Sequence, residues 1–328
     1  MRRRSWVLVL VVVALGTTAA TACRRTDAST APAEEPFWCR WIPEQYRPPE
    51  CRPATSSPPR SSPTPSAAAP VQSRFAARGP SSVRIDSATD ASGNAFTLFY
   101  PADLVDSGVD HPILTWGNGT GSSPDDYADT LRHLASWGFV VVASNRSQTG
   151  DGTAVLAGAR FMVGQNDDPA SVFHGKLDTA AVGALGHSQG ATGAVQATIR
   201  SRGLISSTVA INFVDPFWFW PRSQMPDLSR LRNPVFFVSG GSDFFSTGRG
   251  QQRYFAQVRG PAAMGALRGG DHNEVERAGN GYLGYVTAWL RYTLETDRVA
   301  GQAFVGGSPE LADNPDWQGQ AVEMGSAP

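Results

Sequence analysis

From Val83 onward, short apolar runs alternate with helical stretches, and that alternation predicts a parallel sheet covered by helices on both faces. Ala95–Tyr100 reads as a strand stopped by Pro101. Pro112–Trp116 reads as a second strand, opening into Gly117-Asn118-Gly119-Thr120-Gly121. A helix starts near Ser123-Pro124-Asp125, where a capping serine precedes a first-turn proline, and it ends near Gly138. Phe139–Ser144 is almost continuously apolar, the pattern of a strand buried on both faces. Beyond it the chain predicts a helix over Ala154–Val163, a strand over Ala181–His187 and a helix over Gln189–Arg202. Strands over Thr208–Val214 and Val235–Ser239 follow, then a helix over Gln251–Val258 and a weak last strand over Ala263–Leu267. A helix over Tyr282–Leu294 closes the pattern.

The two ends do not share this pattern. Arg2–Arg4, the apolar run Val7–Leu15 and the small residues Ala20-Thr21-Ala22 have the layout of an export signal over residues 1–22. The apolar run is too short for a permanent bilayer span. The expected location is therefore secreted, or on the outer face of a bacterial cell envelope. Cys23 follows directly, and its lipidation is the alternative that would give membrane anchorage. In an oxidising compartment the other two cysteines, Cys39 and Cys51, can pair in a disulfide. Pro53–Pro70 is nearly all Pro, Ser, Thr and Ala, an extended linker. We accordingly divide the chain into a signal (1–22), a Cys-containing segment with linker (23–74), a catalytic domain (75–300) and a tail (301–328).

Composition narrows the class further. The 328 residues are 41% hydrophobic, enough for a sizeable core. A net charge of −1 offers no basic surface for a phosphate backbone, so no nucleic-acid partner is expected. No His, Cys or carboxylate cluster has metal-ligand spacing, and we expect neither a metal nor an organic cofactor. A monomer is expected.

The chemistry lies in Gly186-His187-Ser188-Gln189-Gly190, a G-x-S-x-G placed between a strand and a small-residue helix. Such an elbow needs glycines because a strand turning sharply into a helix leaves no room for β-carbons. The serine is then held at a helix N-terminus, where developing negative charge is stabilised. Ser188 is the candidate nucleophile, and it requires a base and an orienting acid downstream. Of five histidines only His272 lies downstream, in the glycine-flanked loop Gly269-Gly270-Asp271-His272-Asn273. Asp243, after the strand Val235–Ser239, is the preferred acid, with Asp215 in the equivalent place after the preceding strand as the alternative. Asp271 adjoins the base but is poorly placed to reach its outer nitrogen. Two backbone N–H groups should form an oxyanion hole, and Gln189 and Thr120 are the choices.

These segments resemble bacterial secreted α/β-hydrolases that include cutinase-like polyester hydrolases and related lipases. The resemblance covers roughly residues 83–296 and rests on five stretches: the glycine loop after Trp116, His133–Ala143, Gly-His-Ser188-Gln-Gly, Gly-Gly-Ser-Asp243 and Asp-His272. It departs from that group at Gly117-Asn118-Gly119, where Ser-His-Gly is familiar, and at Ala191, where a second glycine is common. The resemblance implies an α/β-hydrolase fold and carboxylic ester hydrolysis through an acyl-enzyme. It also implies that a Trp near Pro216–Pro221 packs on the substrate, for which Trp218 and Trp220 are candidates, with Trp116 completing an aromatic wall. Core packing is the competing reading of these aromatics. The implied substrate is an ester with apolar acyl or aromatic groups. A peptidase on the same fold and a catalytically silent ligand-binding lipoprotein stand as alternatives.

Overall fold

A computed structural model describes residues 69–218 and 225–325. The expected export signal, Cys23, Cys39, Cys51 and Trp220 lie outside the described residues. Among the described residues, nine strands form one sheet: β1 (Val83–Thr89), β2 (Ala95–Pro101), β3 (His111–Gly117), β4 (Val140–Ser144), β5 (Leu177–His187), β6 (Ser207–Ile211), β7 (Val235–Gly240), β8 (Ala262–Leu267) and β9 (Trp317–Glu323). Their spatial order is β1-β2-β4-β3-β5-β6-β7-β8-β9. The run from β4 to β8 is parallel, whereas β1, β2 and β9 pair antiparallel at the two edges.

Helices α1 (Pro70–Ala76), α2 (Ala128–Ser136) and α6 (Leu283–Glu295) cover one face, packing Leu131, Leu134, Tyr285 and Trp289 on Leu114, Leu185, Val209 and Phe236. Helices α3 (Thr153–Asp167), α4 (Gln189–Arg200) and α5 (Gly248–Phe255) cover the other. The alternation inside a strand follows from the pleat. In β4, Val141 and Ala143 face α2 and α6, while Val140 and Val142 face α3. Both sets are apolar because both faces are covered, so the strand reads as an unbroken hydrophobic run.

The folded unit is larger than residues 75–300. Pro70–Ala76 is helical, with Val71 and Phe75 buried in the core. Its first backbone donors, Val71 N–H and Gln72 N–H, meet the Glu310 carboxylate at 2.7 and 2.8 Å. Asn314 Nδ2 and Trp317 Nε1 donate to Gln72 Oε1. The expected tail is also structural: β9 closes the free edge of β8, and Trp317 is fully buried. An open β8 would leave a row of unpaired backbone groups, and β9 removes that liability.

Candidate active site

The catalytic edge is built by the turn from β5 into α4. Ser188 sits at the N-terminus of α4 with φ 57° and ψ −121°, a backbone region costly to a side-chain-bearing residue. Glycines make the turn possible. A β-carbon on Gly186 would lie 2.2 Å from the Gly190 carbonyl oxygen, and one on Gly190 would lie 2.1 Å from the Gly117 oxygen. The elbow is therefore pressed directly against the loop that follows β3.

Ser188 Oγ lies 2.9 Å from His272 Nε2, and His272 Nδ1 lies 2.9 Å from Asp243 Oδ2. The serine hydroxyl donates to Nε2, and the Nδ1–H donates to the carboxylate. Asp243 Oδ1 accepts from the N–H groups of Phe245 and Ser246 at 2.7 and 3.1 Å. Burial would raise the Asp243 carboxyl, but His272 and the hydrogen bonds from His272, Asn212 and Phe245 outweigh it and hold the group below its ordinary value. Asp243 is thus an ionised acid on the far side of the imidazole from the Ser188 hydroxyl.

Asp215 and Asp271, the two other aspartates that the sequence offered as partners of the base, serve the scaffold. Asp215 accepts from Thr247 N–H and Thr247 Oγ1–H, fixing the loop that carries Asp243 into α5. Asp271 pairs with Arg277 and accepts from Asn273 N–H, which shapes the turn presenting His272.

Gln189 begins α4, so its N–H has no partner inside the helix. Thr120 lies on the loop after β3, and its N–H also meets no acceptor among the described residues. The Gln189 side chain has a different task. Its Nε2 donates to Ser147 O and Gln148 Oε1, and its Oε1 accepts from Gly150 N–H, which fastens the loop after β4 to the elbow. Asn118 ties the loop after β3 to the same segment by donating to Ser144 O at 2.6 Å and Arg146 O at 3.0 Å.

Trp116 is not part of an aromatic wall. It shares the β3 face of Leu114, is 0% exposed, packs at a tilt against Tyr127 with ring centroids 5.0 Å apart and donates from Nε1 to Asn118 Oδ1. The period of two along the strand sends it into the core under α2, where no substrate reaches. Trp218 is half-buried beside the site, its ring 5.0 Å from Phe245 and 5.6 Å from Phe244. Phe245 in turn lies 5.0 Å from the His272 ring, and Phe217, 76% exposed, packs on Trp218. A run of aromatic rings therefore leads from solvent to the base.

Three further residues have structural roles that the sequence reading did not assign. Gly119 N–H donates to Tyr127 Oη, which stands 3.0 Å from His187 Nδ1, and His187 Nε2 lies 2.7 Å from the His272 carbonyl oxygen. Burial, with His272 adding to it, pulls His187 down to about 3, so its ring is neutral. A neutral ring facing a carbonyl at Nε2 must carry its proton there and accept from Tyr127 at Nδ1. The third residue is Asn212, which donates to Asp243 Oδ2 at 2.6 Å. Near His272, burial and the neighbouring Asp126 push Glu276 up to about 7. Among the described residues, no group of three or more His, Cys, Asp or Glu stands together as metal ligands.

A parallel sheet flanked by helices, with a serine elbow at its carboxyl edge, defines an α/β-hydrolase. Comparison with known proteins refines this class. A family described as PET hydrolase-like matches residues 54–317, and this chain belongs to that family. The chain is also similar to a bis(hydroxyethyl) terephthalate hydrolase of Streptomyces coelicolor, 27% identical over 169 residues. That match takes in 49% of this chain and 52% of the relative, so the chain spans about half the relative's length.

Proposed function

We propose that this chain is a secreted serine carboxylic ester hydrolase that works through an acyl-enzyme on Ser188. The observation that carries this reading is the unbroken line Ser188 Oγ–His272–Asp243, with both links at 2.9 Å, at the carboxyl edge of the sheet. His272 Nε2 takes the hydroxyl proton as Ser188 Oγ attacks the ester carbonyl carbon. Asp243 stabilises the imidazolium that forms, and the N–H groups of Gln189 and Thr120 hold the oxyanion. The carbonyl re-forms as the ester C–O bond breaks, and His272 returns its proton to the leaving alkoxide, releasing the alcohol. Water then repeats the sequence on the acyl-enzyme and releases the acid.

The rings of Trp218, Phe244 and Phe245 favour an apolar or aromatic acyl group over a sugar or a charged one. Family membership and the terephthalate ester in the relative's name support an aromatic ester, polymeric or as a soluble fragment. The amino-terminal pattern of Arg2–Arg4 and Val7–Leu15 supports export, with anchorage through a lipidated Cys23 as the membrane-bound form.

The test is hydrolysis of p-nitrophenyl esters of increasing chain length and of a terephthalate diester, with Ser188→Ala beside the wild type. Turnover lost in the variant, together with fluorophosphonate labelling of the wild type alone, is the expected result. A folded wild type that neither turns over esters nor takes the probe removes the reading and favours a silent ligand-binding protein.

A further inference from the structure

The Asp243 carboxylate is held by more than its own loop. Oδ2, the oxygen that meets His272, also accepts from Asn212 Nδ2 at 2.6 Å, and the same Nδ2 approaches the Asp271 carbonyl at 3.3 Å. Two acceptors facing one end of the amide identify that end as the NH₂. His272 and Asn212 are the two side-chain donors to this oxygen among the described residues.

Asn212 follows β6 directly, is wholly buried and has φ 48°. Only four non-glycine residues described here have positive φ, and Ser188 is another. Asparagine is among the few side chains that tolerate this region. The position is also tied to both partners of the site. Asn212 N–H donates to Val238 O on β7, the strand that leads to Asp243, and Ser188 N–H donates to the preceding carbonyl, that of Ile211. A left-handed residue buried between the nucleophile and the acid, with its amide on the acid's working oxygen, points to a function for that amide.

We propose that Asn212 is a positioning residue for the hydrolytic site, fixing Asp243 Oδ2 on the line of His272 Nδ1 and setting the basicity of His272. The proposal rests on the Ser188 acyl-enzyme reading. A carboxylate oxygen that shares its charge with a second donor offers less to the imidazolium. Removing the amide concentrates that charge on His272 and raises the pH at which the ring loses its proton. The other charged or titratable groups facing this pair are His187 from the elbow, Asp215 from the loop after β6, Asp271, Glu276 and Arg277 from the base loop and the turn after it, and Tyr282 at the start of α6. All of them stay in place in the variants below.

Asn212→Gly deletes the amide and keeps a residue that accepts positive φ. Asn212→Asp keeps the shape and the backbone preference but puts a second carboxyl against Asp243. The full chain is assayed on a p-nitrophenyl ester for kcat, KM and the pH profile of kcat/KM, alongside thermal unfolding and an NMR titration of the His272 ring. In Asn212→Gly, kcat falls about 10-fold with KM within about twofold, the size of one hydrogen bond to a charged group. The acid limb and the His272 titration both move to higher pH. In Asn212→Asp the new carboxyl lies buried against the Asp243 carboxylate, so it keeps its proton and donates to Oδ2 as the amide did, and both the acid limb and the ring titration stay near the wild-type pH. An acid limb and a ring titration that stay at the wild-type pH in folded Asn212→Gly overturn the proposal. Because Ser188→Ala reports separately on the acyl-enzyme, that result in a protein with Ser188-dependent turnover removes the role of Asn212 alone.

Discussion

Removal of one oxygen atom, in Tyr127→Phe, separates the oxyanion loop from the base loop without touching any reacting group. Tyr127 is 0% exposed, and its hydroxyl is the acceptor for Gly119 N–H and the donor to His187 Nδ1, each at 3.0 Å. Phenylalanine fills the same ring space against Trp116, so packing is nearly conserved. What is lost is the pairing of two buried polar groups. A buried donor or acceptor left unsatisfied costs about 1–3 kcal/mol, so the variant should be about 2–4 kcal/mol less stable, with some relief as the loop relaxes. That is a large share of a typical domain's stability of about 5–15 kcal/mol.

The catalytic effect should be separable from the structural one. Gly119 immediately precedes Thr120, whose N–H we propose as an oxyanion donor, while His187 Nε2–H holds the backbone carbonyl of His272 itself. Losing a whole oxyanion donor costs about 100- to 1,000-fold in kcat, and loosening one costs less, so we expect a fall of about 10-fold. KM should hold within about twofold, since a fully buried phenol does not touch substrate. Denaturant unfolding gives the first quantity and steady-state kinetics on a p-nitrophenyl ester the second. A variant within about 0.5 kcal/mol and twofold in kcat of wild type would refute the coupling, because an ordinary surface substitution does no more.

Two pH-dependent outcomes follow from the other perturbed groups. Glu276, held up at about 7 and close to His272, adds negative charge near the imidazolium as it ionises, so Glu276→Gln should move the acid limb of kcat/KM to lower pH by about half a unit; an unmoved limb would show that the carboxylate does not reach the base. Burial pulls His133 from 6.5 to about 4, where its Nε2 faces Phe75 O and Thr287 Oγ1. The folded state therefore favours the neutral ring, and this contribution is complete above pH 6.5 and lost as the pH falls toward 4, up to about 3 kcal/mol. Urea unfolding at several pH values across that window should show His133→Gln losing less stability on acidification than wild type, and parallel losses would exclude His133 as the acid-sensitive group.

How much of this site was legible from the chain depends on how local each constraint is. The elbow is legible because its geometry is satisfied within five residues, where Gly186 and Gly190 leave no room for a β-carbon. Asp243 and His272 are legible at one remove, since strands of a parallel sheet end on one edge and chain order limits which acid and base follow the serine. The structure brings all three together. Tyr127, His187 and Asn212 left no comparable trace. The pairs Tyr127–His187 and His187–His272 lie 60 and 85 residues apart, and a hydrogen bond between such distant residues imposes no period on the sequence. Within G-x-S-x-G, His187 fills a position the motif itself leaves open, so its hydrogen-bonding task is set by what the fold places around it.

Trp116 shows a different limit. Periodicity tells that Leu114 and Trp116 share a face but not which helices cover that face, and only that second fact decides between a substrate wall and a core. The same limit hid the ends of the folded unit. Edge strand β9 is half-exposed along Gln318–Glu323 and carries a glycine at φ 61°, so its sequence has neither a continuous apolar run nor a clean alternation. Its one strong signal is Trp317, and α1 likewise offers Val71 and Phe75 at the end of a proline-rich stretch. Each becomes intelligible only against the other. The Glu310 carboxylate takes two backbone donors of α1 and the Tyr285 hydroxyl, so it ties the segment before the first strand to the one before the last. A chain shortened to residues 75–300 would lose both halves of that clasp together with the strand that closes β8.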